Sequence, residues 1–376
     1  MATDGAPLKV IVAGAGVAGL EATLALSELA GQRVQVQLLA PEPEFVYRPL
    51  RVREPFDYGA AERYAVADVI DGTGARLLSE SFSWVDPAKR LVHTENGLKL
   101  PYDALLLALG ARARARFTHA YAIDDRHLDD ILRGLLQDVE DGYVKRLAFV
   151  VPARMGWQLP IYEIALMTAR RAGELGMPVQ ATILTPEPSP LALFGIGASE
   201  AVSKLLADAG IEAIVSAYVE VPGWDTVVVN PGDRRLSVDR VVALPELYGP
   251  AVRGLPAADH GFIPCDAHSK VRGMEAVYAA GDAVDFAVKH GSVSAQQADA
   301  AAEAIAALAG ADLKPAPLDL VVYGMLLTGG APKYLRAHVF GGHGFDSEVS
   351  DQPLWGPPRK IVARYLGPRL EQLRSR

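Results

Sequence analysis

The stretch LKVIVAGAGVAGLEATLALSELAG, residues 8–31, decides the fold. Leu8–Ala13 is a short apolar run rich in valine and isoleucine, the pattern of a buried parallel strand. Gly14, Ala15, Gly16, Val17, Ala18 and Gly19 then read G-x-G-x-x-G. Residues 20–30 have helical spacing, with Leu20, Leu24 and Leu29 apolar, and Gly31 is a stop signal. Val34–Leu39 supplies the next strand. This order is what a dinucleotide requires. Gly14 permits a tight turn, Gly16 lets backbone approach a pyrophosphate, and Gly19 lets helix and strand pack closely. The helix start, with Val17 and Ala18, offers unpaired N–H groups and a positive dipole end to phosphate. One part of the fingerprint is shifted. Ala40 and Pro41 stand where an acidic residue would grip a ribose, and Glu42 follows two positions late. Glu42 reaches the ribose, or it is a solvated loop residue.

The rest of the chain sets bounds on that reading. Its 376 residues suggest two or three domains. Half the residues are apolar and 22% are charged, enough for a large core. A net charge of −8 argues against nucleic acid, because no basic surplus exists to displace phosphate counterions. No apolar run approaches the roughly 20 residues that span a bilayer. Residues 1–9 show no secretory pattern, and the lone Cys265 fits a reducing cytoplasm. VQVQLLAPEPEF, from Val34, is echoed by VQATILTPEPSP, from Val179. The echo predicts two dinucleotide-type domains of related design.

Two further stretches extend the case. LPYDALLLALGARARA (100–115) is a strand ending in Leu-Gly-Ala, with Ala108 and Gly110 at its close. MEAVYAAGDAVDF (274–286) ends its strand in Ala-Gly-Asp, and a helix is expected over 294–309. Asp282, at a strand's carboxyl end, can accept hydrogen bonds from a ribitol chain, and Gly281 permits the approach. Together the three stretches resemble the pyridine nucleotide–disulfide oxidoreductase superfamily, over about residues 8–310. In character the chain is similar to type II NADH dehydrogenases and sulfide:quinone reductases. The resemblance implies an α/β fold with one Rossmann-like domain inserted in another. An FAD domain would comprise 1–115 and 255–320, an NAD(P)-type domain 116–254, and a C-terminal interface segment 321–376. It also implies that Gly14, Gly16 and Gly19 hold the FAD pyrophosphate and Asp282 the ribitol. The helix after Gly291, with Ser294 and Ala295, would face the flavin. FVYRPL (45–50), with Arg48 and Pro49, would lie near the ring.

The middle domain departs from the family. After RLAFVVP (146–152), Gly156 holds the first motif position, but Gln158 and Ile161 hold the other two. Pro160 removes an N–H donor from the same turn. Glu163 matches the glutamate that in relatives lies near nicotinamide and flavin. Two readings stay open: NAD(P)H binds in a modified pose, or the domain is a scaffold and electrons come from elsewhere. Glu163 and Lys289 are the candidate catalytic residues, and Lys289 reads equally well as a surface lysine. Sulfide chemistry in relatives uses paired cysteines. Cys265 alone cannot supply a pair and reads as a packed residue.

The tail PLWGPPRKIVARYLGPRLEQLRSR, from Pro353, is basic and amphipathic, and Pro368 interrupts its expected helix. It suits a membrane surface, as the tails of the relatives do, or packing on the protein's own core or a second subunit. The expected function is FAD-dependent oxidation–reduction with a quinone or other acceptor and NAD(P)H as candidate donor. The alternative is an FAD-binding electron-transfer partner or subunit with a non-functional nicotinamide site; a homodimer is a separate expectation. The expected location is cytoplasmic, with the inner membrane face as a peripheral variant.

Overall fold

The computed structural model describes residues 6–124, 128–340 and 343–375. The first five residues of the 1–9 leader reading and Arg376 of the tail lie outside them. The helices among the described residues are α1 (Val17–Leu29), α2 (Val66–Ile70), α3 (Leu128–Glu140), α4 (Leu159–Glu174), α5 (Ile196–Asp208), α6 (Gly291–Leu308) and α7 (Leu366–Arg374).

The opening stretch forms the centre of a five-stranded parallel sheet. Its strands run in the order Val277–Ala279, Ala104–Leu107, Leu8–Ala13, Val34–Leu39, Arg76–Leu78. Covered on both faces, the central strand needs no polar side, and Val10, Ile11, Val12 and Ala13 are all buried. On one face α1 and α6 pack together, with Leu20, Leu26, Ala298 and Ile305 in one core. On the other, a three-stranded antiparallel sheet brings Val85 and Val92 against Ile11 and Leu105.

A second parallel sheet is inserted between these strands in sequence. Its order is Tyr121–Ala122, Arg240–Ala243, Arg146–Val150, Gln180–Leu184, Ile211–Ile214. The echo between Val34 and Val179 thus marks the second strand of two similar α/β units. Both units are Rossmann-like, joined where Arg112–Arg114 pairs antiparallel with Glu246–Tyr248.

The C-terminal segment opens with a sheet before the tail for which helical spacing is expected. Val321–Leu326, Lys333–Phe340 and His343–Ser350 form an antiparallel sheet. It docks on the second unit, where Val322, Leu326 and Leu335 share a core with Leu159 and Phe194. The chain then crosses to the first unit. Ile361, Leu366 and Leu370 are buried with Leu20, Val66 and Val69. The helix begins only at Leu366, so Pro368 lies in its first turn and does not interrupt it. A first-turn residue has no partner four residues earlier, so the missing N–H costs nothing there. α6 begins at Gly291, three residues before the expected 294, because His290 caps it: its Nδ1 accepts from Ser292 N at 3.3 Å. No helix is long and apolar enough to cross a membrane among the described residues.

Candidate cofactor and active site

Three strand ends meet at one edge of the first sheet. Ala108 N donates to Ala13 O, and Ala280 N to Leu107 O. Gly14, at φ +107°, turns the chain so tightly that a Cβ there would lie 2.4 Å from Ala108 O. A Cβ on Gly19 would lie 1.7 Å from Gly14 O, so only glycine lets α1 start against the turn. Gly16 differs: a Cβ there would meet nothing within 4 Å. The N-cap of α1 is Gly16 itself, with no side-chain cap, and the first turn holds no acidic residue. Bare N–H groups, a positive dipole end and open space at Gly16 fit the pyrophosphate of a dinucleotide.

The Ala-Gly-Asp turn sits beside it. Gly281, at φ +81°, would place a Cβ 3.3 Å from Ala18 Cβ and 3.4 Å from Ser294 Oγ. Ala18, Gly281, Ser294 and the buried Ala295 therefore converge from α1, the turn and α6. Gly281 N donates to Gln297 Oε1 at 2.8 Å, which fixes the turn and leaves Asp282 half-buried at its tip. Gly110 lies in the left-handed region at φ +67° with open space around it. Val17 is half-buried at the start of α1, and Arg48 is exposed as the first residue of the 3-10 segment Arg48–Phe56, with Pro49 next. Glu42 is exposed in the loop after Val34–Leu39.

The two candidate catalytic residues occupy different surroundings. Lys289 Nζ donates to the backbone carbonyls of Asp282, at 3.2 Å, and Val284. It also covers the Phe262 ring at 3.9 Å. Burial lowers its pKa to about 8, against the pull of Asp282 and Asp285. Lys289 braces the Asp282 turn from behind and is not a surface lysine. Glu163 lies elsewhere, fully buried on α4, with both oxygens 2.7 Å from Lys360 Nζ. Leu327 N donates to Glu163 at 2.9 Å, and Lys360 reaches Pro49 O at 3.2 Å. Burial pushes the Glu163 carboxyl up and the Lys360 ammonium down, while each partner opposes the other's shift. Both directions favour moving a proton from Lys360 to Glu163. The buried His290 stands beside the pair, stacked on Trp157 at 4.1 Å. Burial first, then the Lys360 charge, lowers its pKa to about 3, so it is neutral.

Lys360 escaped the sequence reading because only the fold brings it to a glutamate 197 positions away. The surrounding tail is bound the same way. Ile361 N donates to Tyr47 Oη at 2.7 Å and Val362 N to Ser292 Oγ at 2.8 Å. Arg359, with 6% of its side chain exposed, pairs with Glu62 and Glu371 at 2.6 Å each.

The second unit's glycine turn is altered in structure as in sequence. A Cβ on Gly156 would meet Lys289 Cγ at 2.7 Å and Ala287 O at 2.8 Å, so this glycine serves contact between the units. Gln158 turns back to Met155 O, and Ile161 is fully buried. The Pro-Glu-Pro after the second strand is also reworked. Glu187, the counterpart of Glu42, is buried and accepts from Tyr162 Oη at 2.8 Å and Thr185 Oγ1 at 2.9 Å. Cys265 is half-buried, and burial pushes its thiol up to about 12, far from a reactive thiolate.

The sequence profile of the pyridine nucleotide-disulphide oxidoreductase family matches residues 8–304. The chain belongs to this family. It is 25% identical over 259 residues to the sulfide-quinone reductase of Aquifex aeolicus (strain VF5). That match spans 65% of this chain and 59% of the relative, less than two thirds of its length. The solved sulfide:quinone oxidoreductase of Aquifex aeolicus has a TM-score of 0.80 at 18% identity, over 92% of this chain and 87% of that one. A ferredoxin reductase for the CYP199A2 system of Rhodopseudomonas palustris has a TM-score of 0.67 at 19% identity, over 89% and 83%. NDH2 of Plasmodium falciparum in complex with NADH has a TM-score of 0.60 at 17% identity, over 74% and 64%. At these identities the solved structures show a shared fold. Membership of this family supports an oxidoreductase.

Proposed function

We propose that the chain binds FAD and passes electrons through it to a quinone or a similar acceptor. We further propose that its reductant is not a nicotinamide dinucleotide seated in the second unit. The observation that carries the reading is the buried Glu163–Lys360 pair. Bound FAD would supply two-electron chemistry. The pyrophosphate would rest on Gly14, Gly16, Gly19 and the start of α1, and the ribitol on Asp282. Quinone reduction also consumes protons. Glu163 and Lys360 hold one in a buried site, where burial weakens the hold of the Lys360 ammonium on it and lets Glu163 take it up. Pro49 and the tail fix Lys360 there.

The donor half is supported by Glu187. A ribose-gripping carboxylate must face out of its loop, and this one is held inside by Tyr162 and Thr185. With Gln158 and Ile161 replacing two glycines, the second unit supports the FAD unit and carries Glu163. A reductant handled by two protein thiols does not suit a chain with one cysteine. The donor would meet the flavin directly.

Anaerobic mixing of the FAD-loaded chain with NADH, NADPH and sulfide, followed at the flavin absorption band, tests the donor. Slow or absent bleaching by the nicotinamides is expected, and rapid bleaching by either overturns that half. Photoreduced flavin should be reoxidised by a short-chain quinone, and failure to do so overturns the acceptor half. If no donor bleaches the flavin, the chain is an electron-transfer partner, a reading the altered glycine turn favours.

A further inference from the structure

A second buried acidic cluster lies outside this site, where α1, α6 and the tail meet. Glu21 on α1 is fully buried, and its two oxygens accept from the tail: Tyr365 N at 2.9 Å and Leu366 N at 2.5 Å. Asp299 on α6 lies against Glu21, and its buried Oδ1 has no donor. Two carboxylates are both acceptors, so they bond to each other only when one carries a proton. The residues just before this contact are Arg359 to Arg364, among them Lys360.

We propose that Glu21 and Asp299 are positioning residues, an acid pair sharing one proton that clamps the tail at 365–366 and so keeps Lys360 against Glu163. The role of Lys360 beside a flavin rests on the function proposed above, whereas the clamp does not.

The groups facing the pair are few. Arg364 of the tail opposes its negative charge, and Glu303 of α6 adds to it. The Tyr365 phenol of the tail faces both acids and also Glu28 of α1, and its pKa is raised, first by burial. Burial, then the charge of Glu21, pushes Asp299 up to about 8, and burial raises Glu21 as well. A carboxyl whose folded pKa is raised binds its proton more tightly folded than unfolded. The clamp's contribution is therefore full below the ordinary carboxyl range, declines as pH rises, and is lost above about 8. Losing the shared proton sets two carboxylates in contact beside the amides of Tyr365 and Leu366.

Hydrogen exchange of those two amides in the full chain tests the clamp, from pH 6 to 9.5 and corrected for intrinsic rate. Their protection should fall by up to about tenfold per pH unit between 6 and 8 and level off above 8. In Asp299→Asn, which donates permanently to Glu21, protection should stay level. Acylation of Lys360 by acetic anhydride, read by peptide mass, tests positioning. At pH 9 the wild type should label about tenfold faster than Asp299→Asn, and at pH 6 equally. A wild-type amide profile that is flat between pH 6 and 8 overturns the proposal and needs no variant. So does a decline that persists in Asp299→Asn, or equal Lys360 labelling at pH 9. No readout uses flavin or turnover, so failure of the oxidoreductase reading appears only in the mixing experiment.

Discussion

At the scale of single residues, the three glycines of the opening motif have distinct physical duties. Gly19 faces backbone, so Gly19→Ala forces a clash with Gly14 O that no rotamer relieves. Urea unfolding of the variant should show a loss of about 3 kcal/mol or more. Gly16 faces open space, so Gly16→Ala should leave the apo chain's melting temperature unchanged. Its FAD affinity, measured by fluorescence titration, should fall about tenfold, because the methyl stands where phosphate approaches the helix. The Glu163–Lys360 pair makes a different kind of claim. Lys360→Met leaves a fully buried carboxylate without its cation and should cost about 3–5 kcal/mol. Adding Glu163→Gln should recover most of that loss in thermal unfolding, while acceptor turnover stays low.

At the scale of elements, the tail is the informative case. Its basic and apolar residues alternate as in a membrane-surface helix, but Leu366 and Leu370 are buried against α1 and α2. Arg369 is occupied by the carbonyls of Asp68, Val69 and Asp71. The amphipathic face points inward because the first unit offers it a partner surface. Arg364→Gln with Arg374→Gln, both exposed, should leave flotation on anionic liposomes unchanged. A clear drop in flotation would return the tail to the membrane. The altered turn before α4 belongs to this scale as well. Its sequence departures at Gln158, Pro160 and Ile161 were visible, and the structure adds the inward Glu187 that no local pattern announces.

For the whole molecule, two buried groups with opposite charge types shape the pH response. Asp299, raised to about 8, makes stability fall from its unfolded value of 3.8 up to that pH. Lys289, lowered to about 8, makes stability rise from there towards its unfolded value of 10.5, where the folded chain holds fewer protons than the unfolded one. The melting temperature at fixed ionic strength should therefore pass through a local minimum near pH 8. Asp299→Asn should remove the descending side only. On the acid side, Asp239 is held at about 2, chiefly by its hydrogen bonds from Arg146. That contribution is present above 3.8 and is lost as pH falls towards 2.

The sequence by itself determined the first unit. Strand, glycine turn, helix and strand are local patterns legible within about 30 positions, although the close approach that requires Gly14 comes from Ala108, 94 positions away. It also determined that Cys265 has no cysteine partner within this sequence and that the second glycine turn is altered. Only the tertiary structure decided what fills the centre. Lys360 reaches Glu163, Glu187 turns to Tyr162, and Glu21 holds the tail across more than 340 positions. Those choices depend on which charges become buried together. Burial is a property of the folded whole, because the cost of desolvating a charge makes its partner necessary, and no local pattern records that cost.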